Sequence, residues 1–129
     1  MNDWNDLKRD MFAEGRTCQV FKIDRECGLP AVDLDHALFS GQQKTRKKKA
    51  ATQRWRNSRY NAQRACDGCN RWARWADTQI AIEHHIQREL ERDREGFIDW
   101  YYSAPEAVSR KPGSRWKEYQ LVVERGRDG

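Results

Sequence analysis

The chain has 129 residues and a mass of 15.3 kDa, of which 37% are hydrophobic and 35% charged, which leaves room for one modest core and excludes a large multi-domain enzyme. Mean hydropathy of −1.13, with no apolar run near the ~20 residues a bilayer needs and no basic-then-apolar leader at Met1, argues against a membrane span and for a cytoplasmic protein. Net charge is +5, and six Trp, four Tyr and four Phe, each able to bury about 150–250 Å², argue against wholesale disorder.

Between Asn2 and Glu14, Trp4, Leu7, Met11 and Phe12 fall on one helical face, and Gly15 follows as a stop, so an N-terminal helix is expected over 1–15. Residues 19–23 and 31–35 alternate in part like half-buried strands, with Gly28-Leu29-Pro30 between them, and together predict a hairpin. The stretch 40–60 is polar, basic and without clear period, which reads as a long loop or a helix that orders on DNA. Ile82, Ile86, Leu90, Phe97 and Tyr101 then predict one long helix from about Asn70 to Tyr102, with a break near Gly96. Pro105 and Lys111-Pro112-Gly113 mark loops, and the alternation of Tyr119, Leu121 and Val123 predicts a last strand. The expected organisation is a single domain over 1–129. Its parts are the N-terminal helix, a core over 16–76 carrying the basic insertion 40–60, and a C-terminal helix and strand over 77–129.

Charge is unevenly placed. Residues 42–75 hold eleven Lys and Arg against the single Asp67, a local +10, so the rest of the chain sums to −5. Such a block attracts a polyanion, and Lys44, Arg46, Lys47, Lys48, Lys49, Arg54, Arg56 and Arg59 are the candidate DNA contacts. Trp55, Tyr60, Trp72 and Trp75 are interleaved with these charges and offer rings on which bases can stack.

The four cysteines are Cys18, Cys27, Cys66 and Cys69. With nothing pointing to an oxidising compartment, a tetrahedral Zn²⁺ site is the preferred reading, and Cys66-Asp67-Gly68-Cys69 is a CxxC knuckle. Eight residues separate Cys18 from Cys27, so the fourth ligand stays open between Cys18, Asp24 and His85. His84-His85 otherwise reads as helix surface, and Trp100-Tyr101-Tyr102 as core or dimer contact.

Asp33-Leu34-Asp35-His36 ends the second predicted strand. A carboxylate beside an imidazole suits metal-assisted phosphodiester hydrolysis, in which one group holds a divalent cation and another accepts a proton near neutral pH. Asp33 reads equally as an outer carboxylate and as a solvated one. Downstream, the chain continues Asn61-Ala-Gln-Arg-Ala-Cys66-Asp-Gly-Cys69-Asn70.

Over about residues 16–102 this pattern resembles the HNH, or ββα-metal, nucleases in their four-cysteine zinc form. The Asn directly after the second CxxC and the following helix ending in Phe97-Ile98-Asp99-Trp100 look most like the phage lambda Rap/NinG recombination nucleases, with the endonuclease VII type second. The resemblance implies a small α+β fold with a ββα-metal core and a structural zinc. It also implies that His36 activates water, Asn61 braces the loop that orients it, and Asp35 with Asn70 holds a catalytic Mg²⁺ or Mn²⁺. The implied function is an endodeoxyribonuclease that leaves a 5′ phosphate and a 3′ hydroxyl. Branched recombination intermediates such as Holliday junctions would be its substrate, and a homodimer would make the two cuts in the cytoplasm of a phage-infected host. A nicking endonuclease on duplex DNA and a zinc-stabilised DNA-binding module without catalysis are the alternatives.

Overall fold

The computed structural model describes residues 3–40 and 49–128. Lys44, Arg46, Lys47 and Lys48 therefore lie outside the described residues. Helix α1 (Asp3–Glu14) forms where the apolar spacing places it. Met11 is buried against Leu34 and Ala62, and Trp4, Leu7 and Phe12 pack around that contact. Lys8 pairs with Asp33 at 3.2 Å, which tethers the helix to the strand beneath it.

The strands pair differently from the expected hairpin. β1 (Phe21–Lys22) and β2 (Arg25–Glu26) pair with each other through a turn so tight that Ile23 adopts φ 54°. β3 (Asp33–His36) pairs antiparallel with the distant β4 (Ala62–Ala65), in the register Asp35 to Gln63 and His36 to Ala62. The reason lies in residues 27–30. Gly28, at φ 75°, donates to the Cys18 carbonyl, Cys18 donates to the Leu29 carbonyl, and Thr17 bridges Pro30, so this loop folds back on residues 17–18 and does not lead strand 31–35 back to strand 19–23.

Part of the stretch expected to be loop or DNA-ordered helix is already helical. α2 (Lys49–Arg56) buries Thr52, Trp55 and Arg56. Trp55 stacks on Trp100 with ring centroids 4.4 Å apart, and each indole N–H donates to the other residue's carbonyl, at 2.7 and 2.8 Å. Trp55 is thus a core residue and not the base-stacking ring expected of it.

The long helix is also interrupted. Its first third is a pair of turns, Gly68–Trp72 and Trp75–Asp77, and α3 (Gln79–Arg92) starts only where Thr78 caps it by accepting from Ala81 N–H. Asp93 leaves the helical region (φ −158°, ψ 82°), and its carboxylate accepts from the Gly96 N–H, so it ends α3 and caps α4 (Arg94–Tyr102). The expected last strand is instead helix α6 (Trp116–Asp128), preceded by the short α5 (Glu106–Ser109). Tyr119 and Val123 are both buried, four residues apart on one helical face, whereas Leu121, the middle member of the apparent alternation, is 64% exposed. The main core lies between α3, α4 and α6 and is completed by Phe39 and Trp55. The fold is α+β, and among the described residues no helix is long and apolar enough to cross a membrane.

Candidate functional site

The four cysteine sulfurs converge to within 4.8 Å of one another, and Cys27 Sγ lies 3.8 Å from Cys66 Sγ. Tetrahedral Zn²⁺ with Zn–S bonds of about 2.3 Å needs sulfurs roughly 3.8 Å apart, so the cluster has the size and chemistry of a structural zinc site. The wide Cys18–Cys27 spacing is taken up by the β1–β2 hairpin, whose base closes when Cys27 N–H donates to the Val20 carbonyl. Cys18 therefore belongs to the cluster. Asp24 sits at the exposed hairpin turn beside Arg25, and His85 hydrogen-bonds elsewhere. Burial pushes the Cys18 thiol up to about 11, so metal entry would displace a proton that the free thiol holds.

Asp35 and His36 are held by β3 on the other side of β4. Gln63 Nε2 donates to Asp35 Oδ2 at 3.0 Å. Burial, opposed by that hydrogen bond and reinforced by the nearby Asp77 charge, raises the Asp35 carboxyl to about 6. His36 is stacked on Trp4, with centroids 3.9 Å apart and planes within 4°. Its Nε2 lies 2.8 Å from Asn57 Oδ1, which also accepts from Gln53 Nε2. An amide oxygen can only accept, so the network assigns the proton to Nε2 and leaves Nδ1 as the basic nitrogen. Burial lowers the His36 pKa, with Arg56 acting the same way against the Asn57 hydrogen bond, and the ring stays neutral.

Asn61 is fully buried. Its Oδ1 accepts from the N–H groups of Leu38 and Phe39 at 2.8 and 3.1 Å, and its Nδ2 donates to the carbonyls of Phe39 and Arg56 at 2.8 and 2.9 Å. All four polar valences of the amide are spent on the segment that follows His36 and on the end of α2. Asn70 stands in the turn Gly68–Trp72, directly after Cys69, with its N–H on the Cys66 carbonyl. Among the described residues its carboxamide has no hydrogen-bond partner. A half-buried carboxylate and a carboxamide oxygen are hard donors that suit Mg²⁺ or Mn²⁺.

The basic residues divide by environment. Arg54 is exposed on α2, Arg56 is 6% exposed and lines the cleft beside His36, and Arg59 is engaged in a bidentate pair with Glu14. Lys49 opens α2. Among the aromatics of the basic block, Trp72 is 76% exposed, whereas Tyr60 packs on the core and gives its hydroxyl to Asp93. Trp75 packs on the cysteine cluster, and Trp100 and Tyr101 are core.

Three residues of this region escaped sequence reasoning. Asn57 carried no signal, because its partners are set by the turn between α2 and β4. Asp77 follows the CxxC by eight residues and became visible only when the turn brought it toward Asp35. His85 is the clearest correction: it is fully buried, not on the helix surface, with Nε2 on the Tyr60 carbonyl at 2.8 Å and Nδ1 facing Arg88 at 3.0 Å. The buried stripe Ala81, Ile82, His85, Ile86, Glu89, Leu90 repeats with the helical period, so the apolar spacing already contained its position. Comparison with family models, curated proteins and solved structures gives no match.

Proposed function

We propose that the protein is a divalent-metal-dependent DNA endonuclease of the HNH type with a structural zinc on Cys18, Cys27, Cys66 and Cys69. The observation that carries this reading is Asn61. A buried carboxamide that spends three of its four valences on Leu38 and Phe39, just after a neutral histidine, and the fourth on the Arg56 carbonyl is the brace that the family resemblance assigns to it. His36, neutral and oriented by Asn57, accepts the proton of the attacking water. Asp35 and Asn70 would hold Mg²⁺ or Mn²⁺, which when bound supplies charge stabilisation at the scissile phosphate and the leaving 3′ oxygen. Arg54 and the basic segment before α2 supply sequence-independent attraction to the backbone. By the same resemblance the substrate is a branched recombination intermediate, and two cuts per junction are made by a homodimer.

The test is cleavage of a four-way junction and of a linear duplex of the same sequence, each with and without Mg²⁺. We expect Mg²⁺-dependent cutting that favours the junction. His36→Ala should lower the rate by about 10²–10⁴-fold while zinc content, fold and DNA binding persist. Equal cutting of both substrates would move the reading to a duplex-nicking enzyme. A His36→Ala variant that cuts at the unmutated rate removes the assignment, and tight binding without cutting leaves a zinc-stabilised DNA-binding module.

A further inference from the structure

Trp4 reads in the sequence only as one apolar position on the face of α1, yet its indole lies flat on the His36 imidazole, with ring centroids 3.9 Å apart and planes within 4°. The helix that carries it is tied down at three further points. Lys8 pairs with Asp33 of β3 at 3.2 Å, Arg64 of β4 donates to the Met11 carbonyl at 3.3 Å, and Glu14 makes a bidentate pair with Arg59. Met11 is buried against Leu34 and Ala62, so α1 is seated on the strand that carries His36 and on its partner. Among the described residues Trp4 takes no part in lining the cleft beside His36, so a group bound there meets the histidine and not the indole. A hydrogen bond at Nε2 sets where one edge of an imidazole lies but leaves the ring free to roll about its Cβ–Cγ bond, a torsion of broad preference, and that roll carries Nδ1 with it. The contact with Asn57 at 2.8 Å is of this kind. A flat aromatic surface against the ring opposes the roll, because contact over the whole face is lost as the planes tilt.

We infer that Trp4 is a positioning residue for His36: its indole plane and the Asn57 amide together fix the imidazole, so that Nδ1, the basic nitrogen, keeps one direction. Through this stack the N-terminal helix becomes part of the candidate active site. The catalytic consequence rests on the proposed role of His36 as proton acceptor, whereas the placement of the ring does not. Misplacing a reacting group by about 1 Å costs on the order of 10²-fold in rate, which sets the size of the effect.

The test uses the full-length, zinc-loaded chain and two replacements: Trp4→Phe, which keeps a flat ring, and Trp4→Leu, which keeps apolar bulk without one. Proton NMR reads the stack directly, because an aromatic face shifts the protons above it upfield. The His36 ring signals, identified as the set missing from His36→Ala, should lie upfield of those of free histidine, stay so in Trp4→Phe and move back in Trp4→Leu. Cleavage of the four-way junction and the duplex with Mg²⁺ should show kcat lowered about 10–10²-fold in Trp4→Leu with KM little changed, and largely restored in Trp4→Phe. Phe12→Leu, which loosens the packing of α1 at a residue outside the stack, should change neither readout. His36 signals of the unmutated chain that are not upfield would overturn the inference, and that measurement needs no variant to fold. So would a Trp4→Leu kcat equal to the unmutated one, a Trp4→Phe variant as slow as Trp4→Leu, or a Phe12→Leu loss as large as theirs. Upfield signals that move in Trp4→Leu, in a chain that cuts neither substrate, uphold the placement and reject the nuclease reading, whereas cutting indifferent to Trp4 does the reverse.

Discussion

Asn61 illustrates why one side chain can fix a loop that no regular element holds. Leu38 N–H, Phe39 N–H, and the carbonyls of Phe39 and Arg56 lie in a buried region, and the Asn61 carboxamide satisfies all of them at once. A buried polar group left unsatisfied costs about 1–3 kcal/mol, and Ala would orphan several together. Asn61→Ala is therefore expected to lose ~3–5 kcal/mol of stability, at the upper end for a single substitution. Urea unfolding of the zinc-loaded protein measures this, and a loss below about 1 kcal/mol would mean that water or relaxation replaces the brace. His36 stands at the other end of that segment, so the same variant should also lose activity beyond what its folded fraction explains.

At the scale of elements, what the sequence made legible followed the strength of local signals. α1 was legible because Trp4, Leu7, Met11 and Phe12 mark a single face and Gly15 follows. α6 was not, because three apolar residues at alternate positions look like a strand until Tyr119 and Val123 are seen buried and Leu121 exposed. The pairing of β3 with β4 joins residues about 30 apart, and no local pattern encodes such a contact. The cysteine cluster and the Asp35-His36 pair were legible as chemistry. Asn57 became a neighbour of His36 only through tertiary packing. The α3–α4 junction yields a prediction whose sign opposes propensity. Replacing a helical glycine by alanine ordinarily gains about 1 kcal/mol. A Cβ on Gly96, however, would lie 2.0 Å from the Tyr60 hydroxyl and 2.3 Å from the Asp93 carboxylate, where the cap and the Tyr60–Asp93 hydrogen bond meet. Gly96→Ala is expected to destabilise by ~1–2 kcal/mol through loss of that cap and contact. A stabilised variant in thermal unfolding would show that the cap can move aside at no cost.

For the whole molecule, two features join otherwise separate parts. The cysteine cluster ties the β1–β2 hairpin to the end of β4, around a small core of Val20, Ala65, Ala76 and Ala81. Structural zinc in small sites contributes about 10–16 kcal/mol, as much as a domain's whole stability, so chelation or Cys69→Ser should unfold this chain, as read by circular dichroism against zinc content. A chelated protein that keeps its helices would show that the core suffices. The second feature is the line from His85 through Arg88 and Gln63 to Asp35: Arg88 donates to Gln63 Oε1 at 3.2 Å and faces His85 Nδ1, and Gln63 donates to Asp35. Burial, then the Arg88 charge, lower the His85 pKa from 6.5 to about 3, against the hydrogen bond to the Tyr60 carbonyl and with smaller help from His84 and Arg92. The unfolded chain therefore binds a proton that the native chain refuses between about pH 6.5 and 3. Stability from this group is complete above that window, falls as pH drops through it by up to ~1.4 kcal/mol per unit, and levels off below it. Between pH 6.5 and 5 the unmutated protein should lose ~1.5 kcal/mol more than His85→Gln. Acid loss of any zinc held by the four cysteines would be common to both proteins, so the difference between their unfolding curves isolates His85. Parallel curves would mean that His85 takes up its proton inside the fold. Divergent ones would mean that the native fold keeps the buried ring neutral and that mild acid destabilises the chain through His85.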